Sequence, residues 1–374
     1  MKVLHVEAGR HLYGGALQVV FLLRGLRAAG VDSVLACPPG SAIAGAAAAH
    51  ARVHELPMGG DLDLGLVGRL RRLIRAERPD LVHLHSRRGS DVLGALAARL
   101  EGVQVVLSRR VDNPESRLWA GLKYRLHDRI VTISEGIRTV LRAEGVPEAK
   151  LVCVPSAVDT TAYAPIAADH PDRAAIRAEL GLAPDTLLLV MAAQFIARKG
   201  HRTLLAALPG VLARHPRARV LLLGQGPLHA AIVAEARAAG LHGALPDGGP
   251  VLFPGFRQDL PRLLPACELM AHPAEMEGLG VALLQAAACG LPIVAGRAGG
   301  IPEIVVPGET GALIEPGDAT TLATHLDHLL GDPAERSRLG AAARARVQAN
   351  FSLEAMVGGN LAVYRGLLAA TSRT

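Results

Sequence analysis

Short apolar, strand-type runs alternate with longer stretches of helical period along almost the whole chain, and this alternation limits the fold more than any other feature. Lys2–Val6 and residues 33–36, 81–85, 103–107 and 130–133 read as buried parallel strands, separated by helical patterns such as residues 17–29 and 64–77. Five such strands predict one doubly wound α/β sheet with right-handed crossovers. Around residue 160 the alternation pauses, and residues 155–172 carry three prolines and no clear period, so they read as a linker. A second series follows at Leu187–Ala192 and at residues 220–223, 251–253, 269–271, 293–295 and 312–314, and predicts a second α/β sheet. The tail, residues 353–370, reads as one more helix. With 374 residues the chain exceeds the size at which one core suffices. The expected division is 1–165, 166–350 and a terminal helical segment, 351–374, packing back toward the N-terminal domain. Two such domains are expected to face each other across a cleft, with ligands at the carboxyl ends of the strands.

The charge is uneven. Residues 1–160 carry 22 Lys+Arg against 16 Asp+Glu, whereas residues 161–374 carry 18 of each, so the whole excess of +6 lies in the first half. That asymmetry predicts a polyanionic partner or an anionic membrane face for the N-terminal domain, against the plainer reading of a solvated basic surface. Nucleic acid is disfavoured, because only ten aromatic residues are available to stack bases and no nucleic-acid-binding signature occurs. Cys37, Cys153, Cys267 and Cys289 are far apart, without the spacing of a zinc site or a disulfide framework, and read as reduced, buried thiols. Charge enters too early at the start for a signal peptide, and no apolar run approaches a membrane span. A cytoplasmic protein, peripheral at most to the inner face of the membrane, is expected.

Several loops after strands carry residues suited to anion chemistry. Gly14 and Gly15 precede a helix, where backbone N–H groups and the helix dipole favour an anion, although a tight turn alone also explains them. After the strand Leu187–Ala192 comes Gln194-Phe195-Ile196-Ala197-Arg198-Lys199-Gly200. A lysine there, at a helix start where it opposes the dipole, reads as a phosphate partner. The richest stretch runs from His272-Pro273 through Glu277-Gly278-Leu279-Gly280 into a helix bearing Gln285, with Gly299-Gly300-Ile301-Pro302-Glu303 as a further loop. An acid at a helix N-terminus is favourable without any ligand, so Glu277 alone decides little. Gly224-Gln225-Gly226-Pro227-Leu228-His229 misses the dinucleotide fingerprint at its third glycine and reads as a structural turn.

Taken in order, these motifs resemble the retaining glycosyltransferases of family 4, also called group 1, which have the GT-B fold of two Rossmann-like domains. The resemblance covers nearly the whole chain and is most specific between residues 187 and 316. It implies that Gly14 and Gly15 offer N–H groups to a donor diphosphate and that Lys199 pairs with its phosphates. It also implies that Glu277 contacts the donor sugar with the backbone of Gly278, Leu279 and Gly280, and that position 285 holds the ribose. No metal or other cofactor is expected beyond the nucleotide-sugar substrate.

Three positions depart from the family pattern. Gln285 stands where a second glutamate is usual. Gln194 stands where many relatives have an arginine, leaving Arg198 as the substitute cation. Arg110 lies about where relatives carry a histidine. Arg109 and Arg110, with Ser86-Arg87-Arg88-Gly89, are expected to form an arginine-rich rim, or else to be ion-paired surface groups. The expected activity is transfer of a sugar from a nucleoside-diphosphate sugar to a glycan or glycolipid hydroxyl, with retention, in bacterial cell-envelope polysaccharide or lipopolysaccharide synthesis. The rivals are a sugar-nucleotide epimerase of the same fold and a catalytically silent sugar-nucleotide binder. The helix over residues 64–77, with Arg69, Arg72 and Arg75 beside Leu66, Leu70 and Leu73, is the expected membrane-facing element.

Overall fold

The computed structural model describes residues 1–12, 14–86, 89–243 and 249–371. The chain divides into two units, one built from Met1–Ala157 with the last helix, Leu353–Thr371, and the other from Val158–Ser352. The first holds a seven-stranded parallel sheet: β1 (Lys2–Val6), β2 (Asp32–Cys37), β3 (Arg52–Glu55), β4 (Leu81–Leu84), β5 (Gln104–Arg109), β6 (Arg129–Thr132) and β7 (Leu151–Cys153). Its order is β3-β2-β1-β4-β5-β6-β7. The second holds six parallel strands, β8 (Leu187–Ala192), β9 (Ala218–Leu223), β10 (Val251–Gly255), β11 (Leu269–His272), β12 (Ile293–Gly296) and β13 (Gly311–Ile314), ordered β10-β9-β8-β11-β12-β13. Each sheet thus starts in the middle, winds to one edge, returns and winds to the other, the doubly wound order of a Rossmann-like domain.

The apolar strands are buried as expected, since helices cover both faces of a parallel sheet. The N-terminal sheet has seven strands rather than five. β3 reads Arg-Val-His-Glu and lies at the sheet edge, half exposed, so it lacks the apolar run that betrays a central strand. β7 is only three residues long. The expected boundary after residue 165 also moves, to 157/158. Residues 158–165 pack on the second unit rather than forming a free linker: the Gln285 amide donates to the Tyr163 hydroxyl at 2.9 Å, and Arg344 reaches the Tyr163 and Ala288 carbonyls.

The last helix packs in the first unit. Met356, Val357, Leu361, Tyr364 and Leu367 join Val3, Leu22, Leu26 and Val154 in one apolar cluster. A branched side chain replacing Gly25 would run into Val357, so the glycine lets this helix lie close against the helix Gly14–Ala28. Buried polar groups tie the unit together as well. Gln18 clamps both backbone polar groups of Ala157, donating to its carbonyl at 2.7 Å and accepting from its N–H at 2.8 Å. Tyr364 places its hydroxyl 2.5 Å from His83 Nδ1. Among the described residues, no helix is long and apolar enough to cross a membrane.

Tyr364→Phe keeps the shape of the ring and removes the partner of a buried imidazole nitrogen. Urea denaturation is expected to show a loss of about 1–3 kcal/mol, the cost of stranding a buried polar atom. An unchanged midpoint would show that His83 needs no partner there.

Candidate active site

In both units the chemistry-bearing loops follow the two central strands, where the winding reverses and the strand ends leave a crevice. In the second unit these strands are β8 and β11, neighbours in the sheet. The loop after β8 carries Lys199; β11 ends in His272, and the loop after it carries Glu277 and the glycines that open the helix Val281–Ala288. The two loops meet backbone to backbone. Gly200 has φ +75°, and a Cβ on it would overlap the Pro273 carbonyl, so only glycine permits this approach. The Glu275 N–H donates to the Arg198 carbonyl at 2.9 Å and completes the seam.

That seam brings Lys199 and Glu277 together. Lys199 Nζ donates to Glu277 Oε2 at 2.5 Å, and His272 Nε2 lies 3.0 Å from the same oxygen. The lysine side chain is 10% exposed and the glutamate 15%. Burial by itself pushes the Glu277 carboxyl up, but the His272 hydrogen bond and the Lys199 charge outweigh it and hold the group at about 2. Nearby, His201 stacks on Phe195 with ring centroids 4.3 Å apart. Burial, aided by His272 and Lys199, lowers His201 to about 4. His272 Nδ1 and His201 Nε2 are buried without a partner among the described residues. The site therefore holds a compact cation, a fixed carboxylate and two imidazole nitrogens with unused hydrogen-bonding capacity.

The expected residues of this unit fall as follows. Gly278, Leu279 and Gly280 are buried and lead into the helix, with Gly280 at φ +102° as its cap. The Leu283 N–H donates to the Gly280 carbonyl at 3.0 Å, while the N–H groups ahead of it have no partner within a helix and suit an anion or hydroxyl. Gln285 sits in the second turn of that helix, is 8% exposed and is committed through Nε2 to Tyr163. Gln194 is exposed, and Arg198 is half-buried. The Gly224–Gly226 turn is structural: both glycines have positive φ and pack against residues 193–195, and Phe195 N–H bonds to the Gln225 carbonyl at 3.0 Å. It thereby braces the loop that ends in Lys199.

Gly14 and Gly15 belong to the first unit, at the start of the helix Gly14–Ala28 after β1. The Arg110 side chain lies against Gly15: a Cβ there would be 3.7 Å from Arg110 Cδ. Arg110 Nε is buried without a partner among the described residues. Arg109 is not a rim residue. It is 2% exposed, with Nη2 donating to the Asn113 carbonyl at 2.6 Å and Nη1 3.6 Å from Glu115, so it holds its own loop in shape. Arg87 and Arg88 lie outside the described residues.

The sequence reading missed one cluster. His5 on β1 is the register partner of His83 on β4, and His85 follows two residues later, so three imidazoles share one face of adjacent strands. His5 Nδ1 lies 2.9 Å from His85 Nε2, and His83 Nε2 lies 2.9 Å from Ser108 Oγ. Burial lowers His5 to about 3 and holds His83 and His85 well below their ordinary value, so all three are neutral at neutral pH. They could offer nitrogen ligands to a metal, being mutually within 4.8 Å. Two features oppose a cation: both His83 nitrogens already have partners, and the Arg110 charge acts on His83 and His85. The His-Leu-His pattern in an apolar strand was the available signal. The sequence also contains an Asp-x-Asp, Asp61-Leu62-Asp63, but the Asp63 carboxylate is occupied by the Gly59 N–H at 2.8 Å and by Arg69.

Comparison with known proteins adds to this geometry. Residues 172–346 match the family model described as glycosyl transferases group 1, and residues 13–162 match glycosyltransferase family 4. Among curated proteins, the chain is 35% identical over 212 residues to a GDP-mannose-dependent monoacylated alpha-(1-6)-phosphatidylinositol monomannoside mannosyltransferase of Corynebacterium glutamicum, covering 54% of this chain and 53% of that protein. The chain spans about half the length of the first curated relatives it matches. A glycosyltransferase from Rickettsia africae superposes with TM-score 0.87 at 18% identity, covering 98% of each chain. The Anabaena protein HepE, in complex with UDP and glucose, superposes with TM-score 0.83 at 21% identity, covering 98% of this chain and 100% of that one.

Two outcomes test the buried pair. Glu277→Gln leaves Lys199 buried without its counter-charge and is expected to cost roughly 3–5 kcal/mol in a denaturant titration. The Glu277 carboxyl titrates near 4.5 when unfolded and about 2 when folded, so its contribution is complete above pH 4.5 and disappears as pH falls toward 2. The stability gap between the wild type and Lys199→Met/Glu277→Gln should therefore narrow across that range; a gap independent of pH would contradict the pairing.

Proposed function

The chain belongs to the group 1, family 4 glycosyltransferases, and on that premise we propose that it is a retaining enzyme moving a sugar from a nucleoside-diphosphate sugar to a hydroxyl of a glycan or glycolipid. The setting is bacterial cell-envelope polysaccharide or lipopolysaccharide assembly, with the protein in the cytoplasm and peripheral at the inner face of the membrane. The single observation that carries the reading is the buried Lys199–Glu277 pair between the loops after β8 and β11. The donor's leaving diphosphate gains negative charge as the glycosidic bond breaks, and a cation already fixed in a water-poor site stabilises that charge without reorganising. Lys199 is that cation. Glu277, kept ionised by His272 and Lys199, accepts hydrogen bonds from donor-sugar hydroxyls and orients the sugar.

The first-turn N–H groups after Gly280 assist on the sugar side, Gln285 faces the ribose, and Gln194 and Arg198 border the phosphates. The acceptor is held by the first unit, where the N–H groups of Gly14 and Gly15 at the helix start suit an anionic group. Lys199 and the open helix starts take the place a divalent cation would occupy, so the reaction proceeds without metal. The Corynebacterium relative, which acts on a phosphatidylinositol mannoside with GDP-mannose, supports both a nucleotide-sugar donor and a lipid-borne acceptor.

A thermal-shift screen against nucleoside diphosphates and their sugars is expected to find selective stabilisation, since a ligand that binds only the folded state raises its melting temperature. With the donor so identified, Lys199→Ala should lose about a hundredfold in transfer rate, equivalent to about 3 kcal/mol. Full turnover in this variant would remove Lys199 from the mechanism. EDTA should leave the wild-type rate unchanged, and a loss restored by a divalent cation would contradict the metal-free route.

A further inference from the structure

The helix Arg117–Arg125 in the first unit buries a lysine and exposes an apolar stripe. Lys123, 3% exposed, faces inward, where Nζ meets Asp91 at 2.6 Å and Glu115 at 3.1 Å, and the Tyr124 hydroxyl donates to Glu115 at 3.1 Å. Ala120 and Tyr124 are buried beside it, but the leucines and the tryptophan face outward: Leu118 is 88% exposed, Leu122 60% and Trp119 46%. Leu118 and Leu122, four residues apart, form one stripe with Trp119 beside it. Single exposed leucines are ordinary, but an outward apolar stripe on a helix that buries its lysine is not.

The surroundings indicate what covers the stripe. Arg117 and Arg125, at the two ends of the helix, are exposed, and their side chains make no ion pair or hydrogen bond among the described residues. Leu118, Leu122 and Trp119 are thus flanked by unneutralised arginines, in the half of the chain that holds all the excess charge. A protein partner would have to supply both an apolar socket and free carboxylates. An anionic bilayer offers both chemistries at one surface: acyl chains for leucine, the headgroup boundary for tryptophan, and phosphates for arginine. The helix expected from sequence to face the membrane is less suited, because Arg69 is paired with Asp63 and Arg75 with Glu101.

Resting on the peripheral membrane contact put forward above, we propose that the outer face of the helix Arg117–Arg125 is the surface that inserts into an anionic lipid headgroup layer. Trp119 is the single tryptophan of the chain, so its fluorescence reports this surface alone. With the full-length protein, phosphatidylglycerol vesicles should shift the Trp119 emission to the blue, and acyl-chain-brominated lipid should quench it. Pure phosphatidylcholine should do neither. Co-sedimentation of Leu118→Ser/Leu122→Ser and of Arg117→Glu/Arg125→Glu should show partition coefficients at least about tenfold lower, while Arg72→Glu stays within about twofold of wild type. Unchanged circular dichroism and an unchanged donor thermal shift would establish that these variants are folded with the donor site intact. Wild-type binding to phosphatidylglycerol that survives both pairs of substitutions would overturn the placement and leave the membrane contact standing. No binding at low salt would overturn both, leaving the transferase chemistry to its own assays. A concentration-dependent blue shift without vesicles would overturn the proposal in favour of a second copy of the chain.

Discussion

A lysine and a glutamate can be buried side by side only if the segments that carry them come closer than side chains normally permit. Gly200 removes that obstacle, because the absence of a Cβ lets its backbone rest on the Pro273 carbonyl. The loops after β8 and β11 then close on each other, and Lys199 and Glu277 need only their own short reach to meet. Desolvation that would oppose either charge alone is offset by the partner and by His272. The Gly224–Gly226 turn serves the same end from the other side, bracing Phe195 and so the chain leading to Lys199.

The two units solve the same topological problem with different chemistry. In each, the winding reverses beside the first strand of the sheet, and the central strands and loops at that reversal hold buried polar groups. The second unit places a charged pair there. The first places three neutral imidazoles beside Arg110 and the glycine pair at the start of the helix Gly14–Ala28. The neutrality of these histidines follows from burial and is reinforced by the neighbouring guanidinium. The same unit spends much of its arginine internally: Arg109 shapes its own loop, Arg69 binds Asp63, and Arg71 and Arg75 share Glu101. Net charge located an excess of arginine without showing which arginines were free.

How far the fold was legible depended on burial. Central strands such as β1, β4, β8 and β11 are covered on both faces and announce themselves as apolar runs. The edge strand β3 is half solvated, so its Arg-Val-His-Glu resembles loop sequence, and β7 is too short to show a period. The site showed the same division. Glycines and the Lys-Gly and Glu-Gly pairs stood out because their backbone requirements are local. His272, Tyr163 and the histidine trio did not, because their partners are five to 281 residues away.

The sequence by itself determined the alternating architecture, the six strands of the second sheet, the glycine loops after them and the family likeness they carry, since each depends on residues within one turn or one strand. Only the tertiary structure decided that Lys199 and Glu277 form one buried pair, that Gln285 is committed to Tyr163, that Arg109 is internal, and that the helix Arg117–Arg125 turns leucine and tryptophan outward. Those outcomes depend on which distant segment supplies the counter-charge, the hydrogen-bond partner or the covering surface. Local sequence does not encode that choice, because the energy of a buried polar group is set by what the rest of the chain brings against it.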